Sequence, residues 1–238
     1  METRTDEIAD GIFRFSTYVD RAGLGFNQYL VQAEQPLLFH CGLRGLFPLI
    51  SSAMARVMPI SRLRWVCFGH VEADELGGMN DWLEAAPEAQ VAFGAMGCAV
   101  SVNDLASRLP RPLKDGDVLD LGSRRVRYIA TPHVPHGWDA GLLFEETTRT
   151  LLCGDLFTRM GEVPPRTSDD IVGPAFEAEG EYLATALTPR TAPTILALTN
   201  LAPRVLALMH GSAFEGDCNQ ALTDLARGYD LRLKQALG

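Results

Sequence analysis

The segment that follows Gly69 places metal-binding residue types at short, regular spacing. His70 and Glu72 are two residues apart, so their side chains leave the same face of an extended backbone. Asp74 comes at the next position on that face, near the start of a predicted helix. One imidazole and two carboxylates can bind a transition-metal ion. For this segment alone, the alternative is a polar loop whose acids cap the helix.

Two later loops and one strand end carry further potential ligands. His133 and His136 lie in a loop that contains two prolines, which helps to fix a ligand in place. Asp155 follows an apolar strand and a glycine, and His210 stands between an apolar run and another glycine. Ligands often lie on loops at strand ends in α/β proteins. Taken singly, each residue is also compatible with a solvated histidine or a turn aspartate.

The order of these residues is more specific than any one of them. HxExD is followed by a histidine, then by Asp155 nineteen residues after His136, then by a late histidine. This order resembles the HxHxDH…H…D…H pattern of the metallo-β-lactamase superfamily over essentially the whole chain, and residues 8–13 look like its first strand. The resemblance implies a four-layer αββα sandwich, here an α/β (α+β) fold, in a single di-metal domain over residues 1–238.

Two departures from the superfamily pattern narrow the resemblance. Glu72 and Glu75 stand where hydrolases of the superfamily usually have histidines. The HxExD form is similar to the di-iron domain of flavodiiron proteins. The closest resemblance is to the oxygen-binding di-iron protein family, which has this domain without a flavodoxin module. Segments 39–42, 133–138 and 153–157 also look like that group.

The resemblance implies a role for each potential ligand. Two metals would be held by His70, Glu72 and His136 on one side, by Asp74 and His210 on the other, and by Asp155 as a bridge between them.

Three other residues have open roles. Glu75 could bind the second metal or orient its water. We favour His136 over His133 as the ligand, because His133 would need three extra residues in the hairpin before Asp155, and we expect His133 to support the site. His40 replaces an aspartate that commonly ends the third strand, and it either forms a hydrogen bond near the site or is structural.

The predicted ligand set also indicates which metal binds. Three carboxylates and three imidazoles favour two iron ions, with zinc or manganese as alternatives. The first hypothesis is therefore a non-haem di-iron protein that binds or reduces dioxygen, or senses oxygen or redox state. Because no flavin-binding segment is apparent, a separate reductase would supply electrons. Trp138, Phe157 and Phe214 would form apolar walls of the site or belong to the core.

Two other functions remain open at this stage. A binuclear hydrolase would cleave esters, thioesters or phosphoesters with a metal-activated hydroxide, and the loop over residues 160–174 would shape its substrate pocket. A binding module with a degenerate site would keep no tightly bound metal.

Alternating strands and helices would position these residues. The apolar patterns predict single strands at 12–18, 28–32, 37–40, 65–68, 90–93 and 204–209, and hairpins at 117–121 with 125–130 and at 141–146 with 151–153. They predict helices at 48–57, 76–85, 100–109, 175–187, 191–200 and 220–237. Two face-to-face sheets with outer helices would accommodate this order.

The composition excludes several other classes of protein. A net charge of −9 without a basic run argues against nucleic acid as a partner. No apolar stretch is long enough to span a bilayer, and the acidic first residues do not resemble a signal peptide. The five cysteines lack a CxxC pair, which predicts reduced thiols in a cytoplasmic protein. A homodimer is compatible with the sequence.

Overall fold

Two mixed sheets of seven strands each lie at the centre of the protein, for which a computed structural model describes residues 1–238. In the first sheet the strands follow one another in chain order, from β1 to β7. The first four pair in antiparallel fashion and the last four in parallel fashion. The strands are β1 (Thr3–Ala9), β2 (Ile12–Val19), β3 (Leu24–Val31), β4 (Leu37–Phe39), β5 (Trp65–Cys67), β6 (Gln90–Gly94) and β7 (Arg111–Leu113).

The second sheet contains the remaining strands in the order β12-β14-β13-β11-β10-β9-β8. Consecutive strands from β8 to β11 form antiparallel hairpins, whereas β11 pairs with β13 in parallel. The strands are β8 (Val118–Asp120), β9 (Arg125–Ala130), β10 (Gly141–Glu145), β11 (Thr150–Leu152), β12 (Arg166–Thr167), β13 (Val205–Ala207) and β14 (Ala213–Phe214).

Eight α-helices connect or follow the strands. The last helix begins where Asp217 caps it by accepting a hydrogen bond from the Gln220 N–H, and it continues for 20 residues. The helices are α1 (Phe47–Ala55), α2 (Ala73–Leu76), α3 (Met79–Ala85), α4 (Ala95–Gly97), α5 (Asn103–Leu105), α6 (Val172–Tyr182), α7 (Thr191–Ala197) and α8 (Cys218–Leu237). A π-helical turn over Cys98–Val102 joins α4 to α5.

Three apolar cores show how these elements are layered. One core packs side chains of both sheets against each other, such as Phe39 of β4 and Leu152 of β11. A second packs the first sheet against α1 and α3, with Trp82 fully buried, and a third packs the second sheet against α6, α7 and α8. This arrangement confirms the predicted αββα sandwich. No helix combines the length and apolar character needed to cross a membrane.

The strand and helix predictions differ from the structure mainly in short or polar segments. Residues 8–13 are not one strand, because Gly11 adopts a positive φ of 64° and turns β1 into β2. The helix predicted over 100–109 is broken into short turns and ends at Leu105, before β7. The loop predicted over 160–174 contains β12, and α6 already begins at Val172.

Candidate metal centre

The predicted ligands gather at one edge of the two sheets. β4 and β5 are parallel neighbours in one sheet, and β11 and β13 are parallel neighbours in the other, so each pair of carboxyl ends points in one direction. His70, Asp155 and His210 follow three of these strands by three residues each, and His136 lies in the connection from β9 to β10. The fold therefore brings residues that are far apart in the chain to a common site.

A first cluster forms around one oxygen of Glu72. The Nε2 atoms of His70 and His136 lie 2.7 Å and 3.0 Å from the Oε2 atom of Glu72. The Oδ2 atom of Asp155 lies 3.4 Å from His136 Nε2. One ligand atom from each of these four residues lies within 4.8 Å of all the others. Such a group of two imidazoles and two carboxylates can surround one metal ion.

A second cluster forms on the other side of Asp155. The Nε2 atom of His210 lies 3.3 Å from Asp74 Oδ2 and 3.4 Å from Asp155 Oδ1. Asp155 therefore presents Oδ2 to the first cluster and Oδ1 to the second. A carboxylate in this position can bridge two metal ions.

Each histidine ring is held differently at its other nitrogen. His70 Nδ1 lies 3.2 Å from a carboxylate oxygen of Glu75, and His210 Nδ1 lies 2.9 Å from the Gly25 carbonyl oxygen. His136 Nδ1 has no hydrogen-bond partner. Partners of this kind fix the tautomer, so that Nδ1 carries the proton and Nε2 is free to bind a metal.

Strand β3 of the first sheet holds the loop that carries His210. The side chain of Asn27 donates hydrogen bonds to the carbonyl oxygens of Leu208 (2.8 Å) and Gly211 (2.7 Å). The hydroxyl of Tyr29 also donates to the Leu208 carbonyl oxygen, at 2.6 Å. All these groups are buried, so the loop between β13 and β14 is fixed against the other sheet.

The electrostatics of the site favour positive charge among its carboxylates. Burial lowers the pKa of His70, but the carboxylates of Glu75, Glu72 and Asp155 outweigh it and raise that pKa to about 11. Burial likewise lowers the pKa of His210, while Asp155 and Asp74 raise it to about 10. Conversely, the hydrogen bonds from His136 and His70 hold the pKa of Glu72 well below its usual range. A metal ion would supply the same positive charge and displace the protons.

Two oxygen atoms test whether this site fits a pair of metals. Asp74 Oδ1 and Asp155 Oδ1 are buried and have no hydrogen-bond donor. Leaving a buried carboxylate oxygen without a donor is costly, and most such atoms are paired in folded proteins. Both atoms belong to residues of the second cluster, so a cation there would satisfy them. The site therefore fits two metal ions.

A cavity of about 300 Å³ opens in front of both clusters. Its far wall is formed by α6, by the segment after it and by α8, and not by the loop over residues 160–174. There, Thr185 Oγ1 donates a hydrogen bond to Glu179 Oε2 at 2.6 Å and lies 2.8 Å from the Tyr229 hydroxyl. These three residues could not be predicted from the sequence, because no local spacing links them to the ligands.

The structure shows where the three residues with open roles lie. The side chain of His133 is exposed and forms no hydrogen bond with the site, so its supporting role is not confirmed. Glu75 accepts hydrogen bonds from the backbone N–H groups of Gly69 and His70 and lies at the Nδ1 side of the His70 ring, opposite to Nε2, which argues against the alternative that it binds metal. His40 is fully buried, and its Nε2 atom lies 3.4 Å from Glu75 Oε1.

The three aromatic residues that were expected either as apolar walls or as core residues do not line the cavity. Phe157 and Phe214 are core residues of the second sheet, and Trp138 is largely exposed. They follow ligands closely in the sequence, but this proximity does not bring their side chains to the cavity. The apolar lining comes instead from residues such as Leu24, Pro135 and Ala178.

Comparison with known proteins places this geometry in a family. A relative from Megalodesulfovibrio gigas, the rubredoxin-oxygen oxidoreductase, is 24% identical over 202 residues, which cover 82% of this chain and 50% of the relative. The chain spans only about a third of the length of two other curated relatives. Two solved structures share the fold, and the similarity covers nearly the whole chain but only part of each structure.

The first of these structures is the rubredoxin oxygen:oxidoreductase from Desulfovibrio gigas, with a TM-score of 0.81 and 20% identity over 95% of this chain and 62% of the other. The second is the flavodiiron protein from Giardia intestinalis, with a TM-score of 0.78 and 17% identity over 99% of this chain and 60% of the other. Residues 24–185, well over half of the chain, match the family described as ODP family beta lactamase. This match confirms the resemblance found in the sequence, and the chain belongs to the ODP beta-lactamase family.

Proposed function

We propose that this protein is a non-haem di-iron protein that binds or reduces dioxygen. The observation that carries the proposal is the position of Asp155, whose two carboxylate oxygens face two separate ligand clusters. The six-residue donor set, with three carboxylates, suits iron better than a site of imidazoles alone would. The similarity to a rubredoxin-oxygen oxidoreductase over most of this chain supports the same function.

The residues would divide between the two irons according to the contacts of their side chains. His70, Glu72 and His136 would hold one iron, His210 and Asp74 the other, and Asp155 both. The irons would supply the electrons that dioxygen accepts. The protein's contribution is to fix the ligands and to leave a cavity beside them, lined partly by Ala175, Ala178 and Tyr182, in which a small molecule can reach the site.

A separate protein would deliver the electrons. The name of the relative pairs rubredoxin with oxygen, and by this similarity we infer an external electron donor for this chain. We also infer that residues 1–238 form a single domain, that the protein acts in the cytoplasm and that it can form a homodimer.

Metal content and oxygen uptake together test the proposal. Protein purified without oxygen should contain close to two irons per chain. After reduction, it should consume oxygen at a rate that the metal-free protein lacks, and the absorption of the oxidised iron should return as oxygen is consumed. Two tightly bound zinc ions with hydrolysis of a chromogenic ester or thioester would contradict the proposal and support a hydrolase. A protein that binds no metal would contradict both.

A further inference from the structure

A buried carboxylate lies directly behind one of the proposed iron ligands. Glu75 is fully buried in α2, and its Oε2 atom accepts hydrogen bonds from the backbone N–H groups of Gly69 and His70. Its Oε1 atom lies 3.2 Å from His70 Nδ1. The opposite nitrogen of the same ring, Nε2, faces Glu72 and Asp155. Glu75 therefore contacts the side of His70 that points away from the cavity.

A second histidine continues this line of contacts away from the site. His40 is fully buried, and its Nε2 atom lies 3.4 Å from Glu75 Oε1. Its Nδ1 atom lies 3.3 Å from the Asn27 carbonyl oxygen. Asn27 is the residue whose side chain holds the His210 loop. His40 thus connects Glu75 to the strand that fixes the opposite cluster.

The close approach of Glu75 depends on a glycine. A Cβ atom at Gly69 would lie 2.9 Å from Glu75 Oε2 and 3.3 Å from the Gly141 carbonyl oxygen. Any side chain at residue 69 would push the Glu75 carboxylate away from the two backbone N–H groups that donate hydrogen bonds to it. The backbone before His70 is therefore shaped to receive this carboxylate.

We propose that Glu75, which lies between His70 and His40, is a positioning residue that fixes the ring of His70 and adds a negative charge behind the iron that His70 binds. This inference rests on the proposed function. It assigns no metal contact to Glu75, because one of its oxygens accepts two backbone hydrogen bonds and the other faces two imidazole rings. Its consequences are tighter iron binding in the first cluster and a lower reduction potential of the iron pair, since a nearby anion favours the ferric state.

The Glu75→Gln variant tests the effect on metal binding, because it removes the charge and keeps the shape. Anaerobic titration of the metal-free protein with Fe²⁺ against a competing chelator should show one of the two sites weakened by about 10- to 100-fold, the usual cost of losing a partner of a metal-bound histidine. The other site should keep its wild-type affinity. Unchanged affinity at both sites would overturn the inference.

A buried carboxylate far from the clusters provides a matched control. Glu145 is also fully buried and is the last residue of β10. The first residue of this strand, Gly141, is the one close to the site, because its N–H donates to the Gly69 carbonyl oxygen. Its contacts are with the turn residues Thr147 and Thr148 and with Arg124. Glu145→Gln should leave both iron affinities unchanged. An equal loss of affinity in this control would show that a general loss of stability causes the effect, and would overturn the specific role of Glu75.

The reduction potential gives a readout that a purely structural role would not change. With both variants saturated with iron, the midpoint potential of Glu75→Gln should be more positive than that of the wild type, and that of Glu145→Gln should not shift. A wild-type potential in iron-saturated Glu75→Gln would overturn the proposed charge effect.

A double-mutant cycle tests whether His40 acts through Glu75. His40 adopts a positive φ of 67°, a conformation that asparagine tolerates, so His40→Asn removes the ring with little backbone strain. It should weaken the same iron site as Glu75→Gln, by a smaller factor. In the Glu75→Gln background it should have no further effect, because the pair acts as a unit. Additive effects would contradict the proposal.

His40→Asn also keeps the test valid if Glu75→Gln does not fold. A wild-type protein that binds no iron would refute the proposed function. A wild type that binds two irons, together with a Glu75→Gln variant of wild-type iron affinity, would refute only the role of Glu75.

Discussion

His70 and His136 contact the same two carboxylates, yet the protein holds them in different ways. The His70 side chain is 5% exposed, follows a central strand and has Glu75 at its Nδ1 atom. The His136 side chain is 26% exposed, lies in a loop and has no partner at its Nδ1 atom. One side of the first cluster is therefore rigid and buried, and the other is open to the cavity.

This difference shows how the site can hold its ligands rigidly on one side and leave room for a small molecule on the other. The loop of His136 is stabilised mainly from within, since Thr131 Oγ1 donates to the Val134 carbonyl oxygen and the His133 N–H donates to the Gly137 carbonyl oxygen. The loop is also tied to the segment that carries His70, because the Val71 N–H donates a hydrogen bond to the carboxylate of Asp139. We expect the buried side to determine metal affinity and the open side to adjust when a small molecule enters.

The largest expected effect on metal binding is that of replacing Asp155, which contacts both His70 and His136. Asp155→Ala removes the only side chain that contacts both clusters, so it should abolish binding of both metals. Elemental analysis of the purified variant and Fe²⁺ titration check this. Retention of one full equivalent of iron would show that the two clusters are independent and that Asp155 does not bridge them.

A comparison of His70→Ala with His136→Ala tests the rigid and open sides directly. Both variants lose a proposed ligand of the same iron, but only His70→Ala deprives the fully buried carboxylate of Glu75 of a partner. In metal-free protein, His70→Ala should lower the free energy of unfolding by about 1–3 kcal/mol. His136→Ala should lower it by less than about 1 kcal/mol, as for a partly exposed ion pair.

Urea unfolding of the metal-free variants measures both free energies. Equal losses of stability would contradict the difference between the two sides, whereas a larger loss for His136→Ala would reverse it.

His133 offers a control within the open loop itself. His133→Ala removes an exposed imidazole three residues before His136, and its ring has no contact with the ligands. The variant should keep two irons, and its affinities should match those of the wild type within error, while His136→Ala loses affinity in the first cluster. Loss of iron in His133→Ala would show that the histidines exchange roles.

The smallest expected effect concerns pH and a carboxylate outside the site. Burial raises the pKa of Glu145, but hydrogen bonds from Thr148 and Thr147 outweigh burial and lower that pKa below its ordinary value of 4.5. Because the pKa is lower in the folded state, Glu145 stabilises the fold above pH 4.5, and this contribution is lost as the pH falls through the folded-state pKa.

The stability difference between the wild type and Glu145→Gln should therefore be constant near neutral pH and shrink below about pH 4. Urea unfolding at a series of pH values measures it. A difference that grows on acidification would show that the pKa of Glu145 is raised in the folded state.

The fold and the six residues that meet at the site were predicted from the resemblance of the HxExD, His, Asp and His order to a known family. Apolar runs and turn residues alone placed only the strands and their ends. Strands of two or three residues, such as β12 and β14, escaped prediction because so short a run carries no periodicity. β1 was missed as a separate strand because its residues are mostly polar, as on an edge strand.

The role of Glu75 could not be predicted because the start of α2 was placed too late. The helix was expected from residue 76, whereas it begins at Ala73. Neighbouring residues of a helix point about 100° apart, and in this helix Asp74 contacts His210 whereas Glu75 contacts His70 Nδ1. The residues of the far cavity wall, such as Glu179 and Tyr229, depend on packing between helices that no local pattern reveals.

The most direct test of the account is a crystal structure of protein purified without oxygen, with anomalous data collected at the iron edge. The account predicts two iron peaks at the shared edge of the two sheets, with Asp155 in contact with both and Glu75 in contact with neither. A single peak, or two peaks that do not share Asp155, would contradict it.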